Sequence, residues 1–299
     1  LSSGPSKKQK MLRDLQAPQV VVEAILAYPR HEGIARNGSH LVKAFAEGGN
    51  EDSLHEAGAF LAICGVLKKH THSSLCAAAA MSGICDLTLD AFRLHYKVSS
   101  DVALWAAKAM KNLCKFREIR SKLAFGGSVD AMAAALEHFG ALENDNPVVD
   151  QLLWSLAELV RDRVGQERLS RSSTALVLVT QVLNGHSSPQ RVCATCVLIT
   201  NLVRNSHANQ VALGAMMAVE NVILVLISSI DHVDRREVVQ LAVQTLSSLC
   251  RHCDENRARL GCPTVLHCLV SVSSLSFLDE VTRKIASDLL LDVHSPPEG

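Results

Sequence analysis

Leu198-Ile199-Thr200-Asn201-Leu202-Val203 is followed by a second motif, Asn209-Gln210-Val211-Ala212-Leu213-Gly214. The pair recurs along the chain. Thr245-Leu246-Ser247-Ser248-Leu249-Cys250 precedes Glu255-Asn256-Arg257-Ala258-Arg259-Leu260-Gly261. Ala109-Met110-Lys111-Asn112-Leu113-Cys114 precedes Glu118-Ile119-Arg120-Ser121-Lys122-Leu123 and Gly126-Gly127. Ser155-Leu156-Ala157-Glu158-Leu159-Val160 is a fourth copy of the first motif, with Ser172-Ser173 where the others have glycine. The anchors Leu113, Leu159, Leu202 and Leu249 lie 46, 43 and 47 residues apart. A period of this size marks a repeat array whose units bury their apolar faces only by stacking.

Each unit reads as a short helix, a reversal and two longer helices. The glycine allows the reversal because it lacks a Cβ. The second helix is apolar: Val129 to Phe139, Thr174 to Leu183, Val219 to Ile230 and Thr264 to Val272. Asn146-Pro147 and Ser188-Pro189 start the third helix, each a cap residue followed by proline at the first helical position. Asp231 or Asp234 is the expected cap before Leu249. Leu278 to Val293 reads as a closing helix whose Asp279, Glu280, Arg283, Lys284 and Asp288 face solvent.

This unit resembles the armadillo repeat. The resemblance covers four units from about Ser99 onward and implies an all-α, right-handed superhelix of stacked armadillo-like repeats. Upstream, the anchors Phe45, Ile84 and Leu113 are only 39 and 29 residues apart. The second interval is too short for three helices, so one unit should lack its short helix. The expected organisation is a flexible segment or cloning scar over 1–16, irregular repeats over 17–98, four regular repeats with a closing helix over 99–293, and a disordered tail over 294–299.

Composition agrees with this class. Aromatic residues make up only 4% of the chain, so Leu, Val and Ala must fill the core. Lys plus Arg equals Asp plus Glu at 30 each, which counts against a general nucleic-acid binder. No run of 18 apolar residues suggests membrane insertion. The chain starts at Leu1 without an apolar signal core, which suggests a piece of a larger multidomain protein. Ten cysteines in such a chain read as reduced thiols in a cytoplasmic protein rather than as a disulfide framework.

In peptide-binding members of the armadillo family, the third helix carries Trp and, four residues later, Asn. The Asn bonds the peptide backbone and the Trp packs on its side chains. The matching slots here hold Lys108 and Asn112, Trp154 and Glu158, Val197 and Asn201, and Gln244 and Ser248; earlier ones hold His40 and Ala44, and Ala79 and Gly83. No repeat keeps both residues, which argues against a nuclear-import receptor. The concave wall still offers a polar strip: Lys108, Asn112, Lys115, Trp154, Glu158, Asn201 and Arg204.

Other chemistry is thin. Cys250, Cys253, Cys262 and His267 are the best metal candidates, but their spacing matches no zinc signature, and Cys250 repeats the position of Cys114 beside an anchor. Cys193 and Cys196 share a helix face and read as core. No catalytic or phosphate-binding motif is present. Lys108, Lys111, Lys115, Arg117, Arg120 and Lys122 form a basic run that would suit an acidic partner. The expected function is a non-catalytic scaffold for other proteins or peptides, with no cofactor. The alternatives are a sensor of nucleotides or small anions, or a zinc- or redox-responsive solenoid.

Overall fold

The computed structural model describes residues 15–47, 50–70, 74–140, 146–183 and 187–294. Of the expected leader over 1–16 and tail over 294–299, residues 1–14 and 295–299 lie outside the described residues, while 15–16 form a turn and His294 ends the closing helix. Among the described residues there are α-helices and two 3-10 turns, with no strand. Two compact units divide at Gly126/Gly127. The division falls inside the repeat anchored at Leu113.

The first unit holds α1 (Ala17–Ala27), α2 (Glu32–Glu47), α3 (Glu51–Glu56), α4 (Ala59–Lys69), α5 (Ser74–His95), α6 (Ser100–Leu113) and α7 (Arg117–Phe125). Its core gathers Val22, Ile25, Val42, Phe45, Leu54, Ile63, Val66 and Ile84, with Leu113 packed alongside. Fully burying one such side chain contributes about 2 kcal/mol. The helices α1 and α2 approach closely at Gly38, where an added Cβ would lie 2.6 Å from Ile25 Cγ1. Gly58 opens α4 at φ 74°, a left-handed position that suits glycine. The truncated unit is present as expected. One helix, α5, runs through the Ile84 anchor to His95, and after a brief turn α6 follows, capped by the Ser99 side chain, with no short helix between them.

The second unit holds α8 (Ser128–Gly140), α9 (Pro147–Leu159), α10 (Arg163–Ser170), α11 (Ser173–Gln181), α12 (Pro189–Val203), α13 (His207–Ala215), α14 (Ala218–Ser229), α15 (Arg236–Cys250), α16 (Asp254–Ala258), α17 (Pro263–Ser274) and α18 (Glu280–His294). The third helices stack in order, α9 on α12, α12 on α15 and α15 on α18. Leu159, Leu202 and Leu249 are fully buried. The caps fall where expected at two starts: Asn146 Oδ1 accepts from Val148 N and Ser188 Oγ from Arg191 N. They fail at the third. A 3-10 turn over Val233–Arg235 leads into α15, and neither Asp231 nor Asp234 caps it. Asp279 does not simply face solvent; its Oδ1 accepts from Thr282 N and its other oxygen from Gln240, fixing the start of α18.

The glycine reversal holds at one repeat. Gly127 has φ 86°, but Gly214 sits inside α13, and Met217 supplies the left-handed turn at φ 65°. Gly214 is small for another reason: an added Cβ would overlap Asn256 Oδ1. Gly261 ends a 3-10 turn over Arg259–Gly261, next to extended Cys262, whose backbone is biased away from helix by Pro263.

A side-chain clamp ties the repeats together. The last carbonyls of a helix lack intrahelical partners. Asn209 and Asn256, seven residues past their anchors, donate Nδ2 to the anchor carbonyls Leu202 O at 2.8 Å and Leu249 O at 2.9 Å. Arg120 at the matching position donates to Cys114 O at 3.0 Å. Gln166 and Gln210 reach into the following repeat. Gln166 Nε2 donates to Asn201 O at 2.8 Å and Arg204 O at 3.3 Å; Gln210 Nε2 donates to Ser248 O and Arg251 O, both at 2.8 Å.

Candidate functional site

The residues expected on a concave strip divide between the two units. In the first, Lys108 and Asn112 project from α6, and Lys115 follows it; Asn112 and Lys115 are exposed. Lys108 places its ammonium 4.4 Å from the centre of the Trp105 ring, a cation–π contact. In the second unit, Trp154 is half-buried on α9, and Glu158 pairs with Arg161 at 2.9 Å. Asn201 departs from the expectation of a solvent-facing residue. It is 7% exposed, its Nδ2 donates to Ala157 O at 2.9 Å, and its Oδ1 accepts from Arg204 at 3.1 Å. That amide joins α12 to α9, so a peptide would have to displace an existing bond.

The basic run is also not one face. Arg120 is buried in the clamp, Lys122 pairs with Asp86 at 2.7 Å, and Lys108 lies against Trp105. Exposed Lys115 and Arg117 remain at the surface between α6 and α7. The run therefore supplies no assembled basic pocket for a nucleotide or other small anion.

The cysteine and histidine candidates do not converge. Among the described residues, no three His, Cys, Asp or Glu side chains are grouped closely enough to hold a metal ion. Cys250 and Cys253 are buried, whereas Cys262 and His267 are exposed. Cys85, Cys114, Cys193, Cys196, Cys250, Cys253, Cys262 and Cys268 are free thiols. Burial pushes the Cys85, Cys196 and Cys250 thiols up to about 12 and Cys193 to about 11. Cys262 moves the other way, because the backbone and side chain of Thr264 hydrogen-bond its sulfur. The thiolate is the reactive form. Iodoacetamide near neutral pH should therefore alkylate Cys262 well before Cys85, Cys193, Cys196 or Cys250. Peptide mapping of the labelled protein checks this, and labelling of Cys196 or Cys250 at the same rate would contradict it.

The most developed concave feature lies wholly in the first unit. A groove of about 620 Å³ is lined by Leu54, His55, Ala59 and Phe60 from α3 and α4, by Leu87, Thr88, Asp90, Ala91, Leu94 and His95 from α5, and by Asp101, Val102, Trp105, Ala106 and Ala109 from α6. Leu54, Ala59 and Ala106 are buried, while Phe60, Leu94 and Trp105 stay 49%, 58% and 66% exposed. Clustered exposed apolar groups of this kind mark interaction sites. The groove runs along α5 and α6, which follow one another with no short helix between them, and α3 and α4 supply its remaining lining.

Counting slots back from Leu113 passes over Trp105. Its signal was the phase of α6. Ala103, Ala106, Ala107 and Met110 form the buried stripe, and Trp105 lies off it, on the side of Asp101 and Lys108.

No protein-family model and no curated protein sequence matches the chain. Solved structures do. A chain from the structure describing a phosphorylation switch in the cadherin and beta-catenin interaction aligns with TM-score 0.60 and 17% identity, over 97% of this chain and 64% of that one. A designed armadillo repeat protein in complex with the peptide (KR)4 aligns with TM-score 0.50 and 16% identity, over 92% and 98%. The armadillo-repeats-only protein of Plasmodium falciparum aligns with TM-score 0.53 and 10% identity, over 64% and 80%. At these identities the likeness shows the fold, which is armadillo-like. Among the described residues no single helix is long and apolar enough to cross a membrane. The apolar pair α13 and α14 is bent by 70° and buries much of its apolar surface in the second unit.

Proposed function

We propose that the chain is a non-catalytic protein-interaction module that holds a partner in the groove carrying Trp105. The observation behind this reading is the groove itself, with a buried apolar floor and three large exposed side chains, Phe60, Leu94 and Trp105, at its edge. Aromatic residues in such settings dominate binding energy. Lys108 belongs to the proposed surface through its contact with Trp105. The peptide carried by the designed armadillo protein supports the reading as a precedent for the fold. Trp154, Glu158 and Arg204 are a second candidate patch in the other unit.

Trp105→Ala is expected to weaken partner binding by roughly thirty-fold, the equivalent of ~2 kcal/mol for an interface hot spot. Its melting temperature should stay near that of the unaltered protein, because the ring is largely exposed. Affinity capture with the immobilised chain, compared quantitatively with the variant, checks this. Unchanged capture by a folded Trp105→Ala protein would refute the placement.

A further inference from the structure

We infer that the groove takes an amphipathic helix of a partner protein, apolar along one face and basic at one end. This rests on the reading of the groove as a docking surface and names its occupant.

Three observations carry it. The first is what the walls lack. An extended peptide brings unpaired N–H and C=O groups that must find partners when buried. Among the described residues the lining has no Asn, Gln or Ser, and its polar side chains, His55, Thr88, Asp90, His95 and Asp101, are too few to supply a row of partners along an extended backbone. A helix satisfies its own backbone and can lay apolar anchors at i, i+3 or i+4, and i+7 onto an apolar wall.

The second is charge. Among the described residues the carboxylates in the lining are Asp90 and Asp101 and no Lys or Arg lines the groove, while Lys108 sits at its edge, held on the Trp105 ring at 4.4 Å. The nearby Arg93 donates to Gly126 O at 2.5 Å and lies 3.7 Å from Asp90 Oδ1, so it is engaged within the unit. Asp101 is exposed at the start of α6. A Lys or Arg at one end of the bound helix would meet this acidic end, and a carboxylate there would be repelled.

The third is Thr88. It lines the groove at 6% exposure, and its Oγ1 has no hydrogen-bond partner among the described residues. Buried polar atoms are nearly always paired. An orphaned hydroxyl in a mostly apolar wall fits an occupant that places one polar side chain among its apolar anchors, fixing its register.

The test uses the full chain and three fluorescent peptides of about 16 residues: an amphipathic helix with a leucine face and a Lys/Arg end, its twin with a Glu end, and a twin of the first broken by a central proline. Fluorescence anisotropy reads each affinity. The basic helix should bind at least about tenfold more tightly than the acidic twin and the broken one. Asp101→Lys should reverse the charge preference, Asp101→Asn should reduce it, and Trp105→Ala should weaken binding of the basic helix. Equal binding of the proline-broken peptide would overturn the helical occupant. A charge preference untouched by Asp101→Lys would overturn the basic end. If Trp105→Ala reduces partner capture but no peptide binds, this inference fails while the docking surface stands. If capture is also unchanged, both fail.

Discussion

Gly165→Ala is expected to lower the stability of the protein by about 3 kcal/mol, a very large effect for one methyl group. Gly165 lies in α10, six residues past the Leu159 anchor. An added Cβ there would overlap the Leu159 carbonyl oxygen, come within 2.8 Å of its carbon and 3.1 Å of Val160 Cα. All three atoms are backbone at the end of α9, so no rotamer change relieves the overlap. Either α10 moves off α9 or the turn between them distorts. Displacing α10 also pulls Gln166 from Asn201 O and Arg204 O in the next repeat. The loss should thus extend beyond one helix, as expected where each repeat is stabilised by its neighbours. Urea unfolding followed by circular dichroism measures it. A loss under about 1 kcal/mol would show that this close approach is not a constraint.

Asn256→Leu is expected to cost a similar amount, about 3 kcal/mol. Asn256 is 1% exposed, and its Nδ2 donates to both Leu249 O and Gln210 O at 2.9 Å. Leucine has nearly the same volume but removes both bonds and leaves the Leu249 carbonyl at the end of α15 without this donor, and a buried group left unpaired costs about 1–3 kcal/mol. The pocket for this amide exists because residue 214 is glycine. Gly214→Ala should expel the amide and produce much of the same loss. The two changes are therefore not independent. Gly214→Ala combined with Asn256→Ala should lose clearly less than the sum of the separate losses. Strict additivity in urea melts would contradict the coupling.

The repeat frame was legible because it rests on local chemistry. Anchor leucines, proline-led caps and apolar second helices each signal within a dozen residues. Even the missing short helix followed from the interval between Ile84 and Leu113. What escaped was what depends on distant partners. Asn209 and Gln210 stand in the quoted motif, but their acceptors lie on other helices, and for Gln210 in the next repeat. The same dependence turned Asn201 from an expected groove residue into a tie between α12 and α9. It also turned Arg120 and Lys122 from an expected basic face into structural bonds. Asp231 and Asp234 had the right chemistry for a cap, but a 3-10 turn carries the chain into α15 through Arg235. The groove at Trp105 was hidden for another reason: it lies on the irregular repeat, where a slot count calibrated on regular repeats looks in the wrong place.

The central claim is that partners dock at this groove, and position-specific photocrosslinking tests it most directly. Phe60→benzoylphenylalanine places the probe at the groove edge; Val270→benzoylphenylalanine places it on an exposed apolar position of α17 in the other unit. The account predicts a partner adduct from position 60 that is absent at position 270 and lost when Trp105→Ala is added. Adducts from position 270 alone, or a position 60 adduct indifferent to Trp105, would contradict it.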